Sequence, residues 1–242
     1  MSTKHKEYEI QTNTYADVLA ESTLPLFSYG MNDRPEQLSM LSLFSGCGGM
    51  DLGFEGNFIC HKRSIPKGSE WIESEINENW VLLKKNRFNT IFANDILPEA
   101  VSAWTNYMNR FNKDSSIYHT DSIVDLVKAH RNGAKIFPEN VDIVTGGFPC
   151  QDFSVAGKRK GFQSDKSHDG KLCVDDLPSE ETRGKLYYWM KQVIDITKPK
   201  IFIAENVKGL LLGEAFSYVR RIYEAFDDAG YMVTHTLCDA ST

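Results

Sequence analysis

Short apolar runs alternate with longer amphipathic stretches along most of this chain, and that alternation predicts its elements. "MLSLF" (40–44) reads as a buried strand running straight into the glycine-rich "SGCGGMDLGFEG" (45–56). "EWIESEINENWVLL" (70–83) spaces its apolar residues as a helix would, and "TIFAND" (90–95) reads as a second strand. "PEAVSAWTNYMNRF" (98–111) predicts an amphipathic helix, "SIYHTDS" (116–122) a third short strand, and "IVDLVKAH" another helix. A fourth strand in "VDIVTGG" (141–147) precedes a long polar stretch over 152–182, which reads as a functional loop or lid. A helix over 184–198, a fifth strand in "KIFIAEN" (200–206) and a helix over 215–230 closed by Gly230 follow. "YMVTHTLCDA" (231–240) has the alternation of one more strand. Residues 1–38 are polar with scattered apolar positions and read as an arm.

Strands with apolar interiors alternating with helices predict an α/β fold, a doubly wound and mostly parallel sheet covered on both faces. The domain is expected over 39–242, with an insertion at about 59–88. In such sheets ligands bind beyond the carboxyl ends of the strands. Ser45–Gly49, Asp95, Asp121, Gly146–Gln151 and Glu205–Asn206 all fall at those ends.

Composition changes this picture little. With 41% apolar and 25% charged residues the chain is an ordinary globular sequence. No apolar run approaches the roughly 18–20 residues of a membrane span, and the first residues lack a signal-peptide core, so the cytoplasm is the expected compartment. Five cysteines at unrelated spacings, with no zinc-type pairing, imply free thiols and no metal site. The net charge of −6 gives no general attraction to nucleic acid, although local basic patches escape that argument.

Gly46, Gly48 and Gly49 follow a strand directly, where glycine permits positive φ and close approach of a ligand; a tight turn alone would use them equally well. Asp95 ends the second strand, where a carboxylate can accept both ribose hydroxyls or cap the next helix. Asp51 stands where the G-x-G-x-x-G fingerprint has its last glycine, and no P-loop lysine follows. Asp121 suits either an adenine amino group or a helix cap. Cys150, behind Pro149 and two glycines, is a thiol on a stiff turn, and Glu205 with Asn206 ends the neighbouring strand.

"LFSGCGGMDLGFEG", "GGFPCQDFSVAGKRKGF", "RGKLYYW" and "AENVKGLL", in this order and strand context, resemble the DNA cytosine-5 methyltransferases. The resemblance implies a Rossmann-like fold binding S-adenosyl-L-methionine and leaving S-adenosyl-L-homocysteine. Phe44, Gly46, Cys47 and Gly48 would form its methionine side. Asp95 would hold the ribose and Asp121 the adenine, while Pro149 and Leu186 would line the pocket. Cys150 would add to C6 of a flipped cytosine while Glu205 serves N3, and Asn206 would position that acid. Gln151, Ser154, Lys158, Arg159 and Lys160 would contact double-stranded DNA.

The expected activity is that of a restriction-modification methylase. An RNA methyltransferase and a non-catalytic cofactor-binding module are the other readings. Members of the family continue with an arginine-bearing motif, a target-recognition region and a final cofactor-facing motif, where this sequence stops at "LCDAST". The resemblance therefore implies a catalytic portion inactive alone and completed by a C-terminal part, in cis or as a separate polypeptide.

Overall fold

The computed structural model describes residues 37–111, 113–149, 185–211 and 216–238. The expected arm, save its last two residues, and the expected loop over 152–182 lie outside them. Strands β1 (Leu38–Leu43), β5 (Phe88–Asn94), β6 (Tyr118–His119), β7 (Ile143–Gly146) and β8 (Ile201–Ala204) form one sheet in the order β6-β5-β1-β7-β8. Every pairing in it is parallel. From β1 the chain moves outward to β5 and β6, then returns to the other side of β1 for β7 and β8. The order therefore reverses between β1 and β7, the place where an open α/β sheet leaves a crevice for ligand.

Helices α1 (Gly49–Glu55), α2 (Pro98–Met108), α3 (Ile123–Arg131) and α4 (Leu186–Thr197) lie between the strands, and α5 (Phe216–Asp228) follows β8. The larger core joins Leu41, Leu43 and Val144 to Val127 of α3, Met190 and Ile194 of α4 and Phe226 of α5. A smaller core gathers Ala93, Trp104, Met108 and Tyr118. At the base of α1 the buried Glu55 accepts from the Thr90 N–H (2.9 Å) and pairs with Lys113 (2.8 Å), tying helix to strand.

Two expectations are corrected. Residues 70–83 are not a helix: β3 (Ile72–Glu75) and β4 (Trp80–Leu83) are antiparallel and, with β2 (Ile59–His61), form a small second sheet ordered β2-β4-β3. The reason is turn chemistry. Asn77 Oδ1 accepts from the N–H groups of Asn79 and Trp80, both at 3.0 Å, and Ile76 N–H bonds the Trp80 carbonyl. The spacing of Trp71, Ile76 and Trp80 imitates a helical stripe, yet all three are exposed. Residues 231–238 are not a strand either. Their alternation is real, with Tyr231 and Val233 packed on the core and Met232 98% exposed. They have no ladder; Tyr231 instead donates to the Pro199 carbonyl and Tyr223 meets His235, each at 2.6 Å.

The amino ends of the central strands share one anchor. Asp142 Oδ2 accepts from the Ser39 N–H (2.8 Å) and hydroxyl (3.0 Å), and Oδ1 from Lys200 (2.6 Å). Burial pushes this carboxyl upward, but Lys200 and Ser39 outweigh it and hold it below the ordinary range. A depressed carboxyl stabilises the fold above its unfolded value of 3.8 and loses that contribution as pH falls through its folded value. Asp142→Ala should cost about 1.5–3 kcal/mol at neutral pH, the range for hydrogen bonds to charged groups. The gap from the unaltered chain should shrink towards about pH 2.5. Urea unfolding at both pH values checks it.

Candidate active site

The crevice at the carboxyl ends of β1 and β7 is built from backbone held in unusual conformations. Straight after β1, Phe44 takes φ 53°, Gly46 φ 53° and Gly48 φ 88°. A left-handed phenylalanine is strained, and strain of this kind persists only where neighbours fix it. Here Ser45 N–H bonds the Asn94 carbonyl (2.8 Å), while Asn94 N–H bonds Ser45 Oγ (3.1 Å). Gly46 is gripped on both sides: its N–H donates to Asp95 Oδ2 (3.0 Å), and its carbonyl accepts from the Tyr118 hydroxyl (2.9 Å). A Cβ at Gly46 or Gly49 would meet nothing within 4 Å, so open space lies above the loop.

The structure removes the helix-cap reading for two acids. Asp95 does not cap α2, whose N-cap is Leu97; Oδ1 accepts from the Leu97 N–H (3.0 Å) and so orients the carboxylate at the end of β5. Asp121 is no cap either, because Ser122 fills that position for α3 and accepts from the Val124 N–H. The Asp121 side chain is exposed beyond β6, and its carbonyl accepts from Asn94 Nδ2 (2.8 Å), which also bonds the His119 carbonyl (3.0 Å). The buried Asn94 thus fixes the exits of both strands. Sequence reading missed it because a polar residue at a strand end looks like any turn residue. Cys47 is exposed. Pro149 is half-buried, and Leu186 is buried in the larger core at the start of α4.

Across the crevice Glu205 continues the β8 ladder, its N–H bonding the Gly146 carbonyl (2.9 Å). Its carboxylate is exposed and lies over Gly147: a Cβ there would sit 3.1 Å from Oε2. Glycine at 147 therefore leaves room for the acid beside the turn that leads into Cys150. Asn206 joins the two strand exits, with Nδ2 donating to the Phe148 carbonyl (3.1 Å) and Oδ1 accepting from the Val207 N–H (2.9 Å). The glycine loop, Asp95, Asp121, Pro149, Glu205 and Asn206 thus all stand at the carboxyl ends of the parallel strands. Cys150, Gln151, Ser154, Lys158, Arg159 and Lys160 lie outside the described residues. Among the described residues no cluster of metal-ligating side chains occurs, and no helix is long and apolar enough to cross a membrane.

The chain is similar in sequence to known proteins. The chain is 33% identical to the type II methyltransferase M.BsuRI of Bacillus subtilis over 86% of its own length and 40% of that protein's. With M.BspRI of Lysinibacillus sphaericus the identity is 30%, over 94% and 46%. The chain thus spans less than half the length of these curated relatives. Among solved structures, the Dnmt2 methyltransferase of S. pombe aligns with 78% of this chain and 40% of its own, at 15% identity and a TM-score of 0.40. The profile of the C-5 cytosine-specific DNA methylases matches residues 38–242, most of the chain. The chain belongs to that family.

Proposed function

We propose that this chain carries the cofactor pocket and catalytic groups of an enzyme that methylates C5 of cytosine in double-stranded DNA, as the modification half of a restriction-modification system. The observation that carries this reading is the juxtaposition at the crevice. Glu205 lies over Gly147, next to the turn into Cys150, while the strained glycine loop opens at the end of the adjacent strand.

S-adenosyl-L-methionine, held along Phe44, Gly46, Cys47 and Gly48, by Asp95 at the ribose and by Asp121 at the adenine, supplies an electrophilic methyl group. Pro149 and Leu186 bound its pocket. Cytosine C5 is a poor nucleophile, so the Cys150 thiolate adds to C6 and pushes the C5=C6 electrons into the ring. Glu205 meets that charge at N3 by donating a proton or hydrogen bond. After C5 has taken the methyl group, water takes up its proton, the C5=C6 bond re-forms and the Cys150 thiolate leaves C6. Asn206 ties the end of β8 to the Phe148 carbonyl, two residues ahead of Cys150 in sequence.

Reaching the base requires flipping it from the duplex, at a cost of roughly a few kcal/mol. Gln151 and Ser154 would face the flipped nucleotide, with Lys158, Arg159 and Lys160 against phosphates. An enzyme on this substrate works in the cytoplasm, where bacterial DNA lies. A further polypeptide segment completes it, in the same chain or separately. Among the described residues β8 pairs only with β7 and leaves Ile201 (51%) and Ile203 (38%) exposed, an edge suited to cover by more protein.

Three outcomes test the reading. Joined to the C-terminal part of a family relative, the chain should form a covalent adduct with 5-fluorocytosine DNA, seen as a band shift. Cys150→Ala should abolish the adduct and Cys47→Ala should not; an undiminished adduct in the Cys150 variant refutes the nucleophile. Asp95→Ala removes a charge-assisted acceptor worth roughly 1.5–3 kcal/mol, so cofactor affinity by calorimetry should fall about 10- to 100-fold. Residues 1–242 alone should transfer no labelled methyl group to DNA, and the added part should restore transfer. Robust transfer to tRNA in preference to DNA would favour the RNA reading.

A further inference from the structure

Beneath the glycine loop lies a polar pair that the proposed reaction does not use. Asp51 and Trp104 are both completely buried, and Trp104 Nε1 donates to Asp51 Oδ2 at 2.7 Å. The other oxygen, Oδ1, is buried without a hydrogen-bond partner. Burial pushes the Asp51 carboxyl above its ordinary range, against the opposing effects of Ser42 and Trp104. A buried, half-satisfied acid is a poor way to stabilise a core, since an apolar pair of similar volume would avoid its desolvation.

The position of the indole supplies another reason for the pair. A Cβ built on Gly48 would stand 2.6 Å from Trp104 Cδ1 and 3.0 Å from Nε1, so the ring edge fills the space where a side chain would go. The same ring meets Tyr118 edge-on, centroids 5.1 Å apart, and the Tyr118 hydroxyl holds the Gly46 carbonyl. Gly46 in turn donates to Asp95. One indole therefore touches the underside of Gly48 directly and reaches Gly46 through Tyr118. Its orientation is fixed by Asp51, on the first turn of the helix that the loop begins.

We propose that Asp51 and Trp104 are positioning residues that preset the glycine loop from below, and so set its affinity for an adenosyl ligand that neither residue touches. This rests on the cofactor reading given above. An indole free to rotate would leave Gly46 and Gly48 to find their left-handed conformations at the moment of binding, and the ordering would be lost from the affinity.

The test is calorimetric binding of S-adenosylhomocysteine to the full chain, with unfolding by urea measured in parallel. Trp104→Phe and Asp51→Ala should each weaken binding about tenfold. Asp51→Asn retains an acceptor oxygen for the indole and should stay within about threefold of the unaltered chain. Tyr118→Phe, which removes only the hydroxyl on Gly46, should weaken binding about fivefold even if the larger changes prevent folding. Phe226→Leu, in the distant core under α5, should lower stability and leave affinity unchanged. The double variant Asp51→Leu with Trp104→Phe should bind weakly without a matching loss of stability. Unchanged affinity in Tyr118→Phe or Trp104→Phe, or equal weakening in Phe226→Leu, overturns the inference while leaving the cofactor reading standing. Failure of the unaltered chain to bind would remove both.

Discussion

Everything in this fold hangs on β1 being hydrogen-bonded along both edges. A strand paired with β5 on one side and β7 on the other has no free edge, and Met40, Leu41 and Leu43 are buried almost completely. Its end cannot drift, so the strained turn after Leu43 starts from a fixed point. The reversal of strand order at this strand then opens the crevice beside that turn. A rigid origin and a gap next to it are what a binding surface made of a few glycines would need.

Function is distributed over the crevice by a division of labour. The candidate site groups stand at the strand ends, and groups that hold the backbone there sit one layer down. Asn94 fixes the exits of β5 and β6, Asn206 links those of β7 and β8, and Tyr118 steadies Gly46. Each supporting residue uses its side chain to satisfy backbone groups that the end of a ladder leaves unpaired. Asp121 and Glu205, at the ends of those strands, remain exposed.

Much of this was legible in the sequence, for identifiable reasons. The strands of this parallel sheet read as short apolar runs, so all five lie where "MLSLF", "TIFAND", "SIYHTDS", "VDIVTGG" and "KIFIAEN" predict them, within a few residues. Asp95 and Glu205 were visible because they end such runs. Asn94 and the Asp51–Trp104 pair were not, because their importance lies in partners 25 to 53 residues away. The reading of 70–83 failed where an asparagine turn inside a charged stretch interrupted an accidental helical spacing. That of 231–238 failed because alternation reports which side chains are covered and says nothing about whether a neighbouring strand exists.

The small second sheet has a consequence of its own. It leaves the domain after α1 and rejoins it before β5, and its two ends are stitched together. Asn86 N–H bonds the Glu55 carbonyl (2.8 Å), Asn57 N–H bonds the Lys84 carbonyl (3.1 Å), and Gly56 bridges Lys85. Backbone crosses so closely there that a Cβ on Gly56 would fall 2.1 Å from the Lys84 oxygen. The span between α1 and β5 is therefore set at this crossing, whatever the sheet beyond it contains. Closing a longer loop over an already fixed gap costs only about 0.6 kcal/mol per doubling of its length. Residues 59–83 thus behave as a port at the amino-end pole of the main sheet, where a tag, a reporter or a whole domain could be exchanged without disturbing the cleft at the opposite pole.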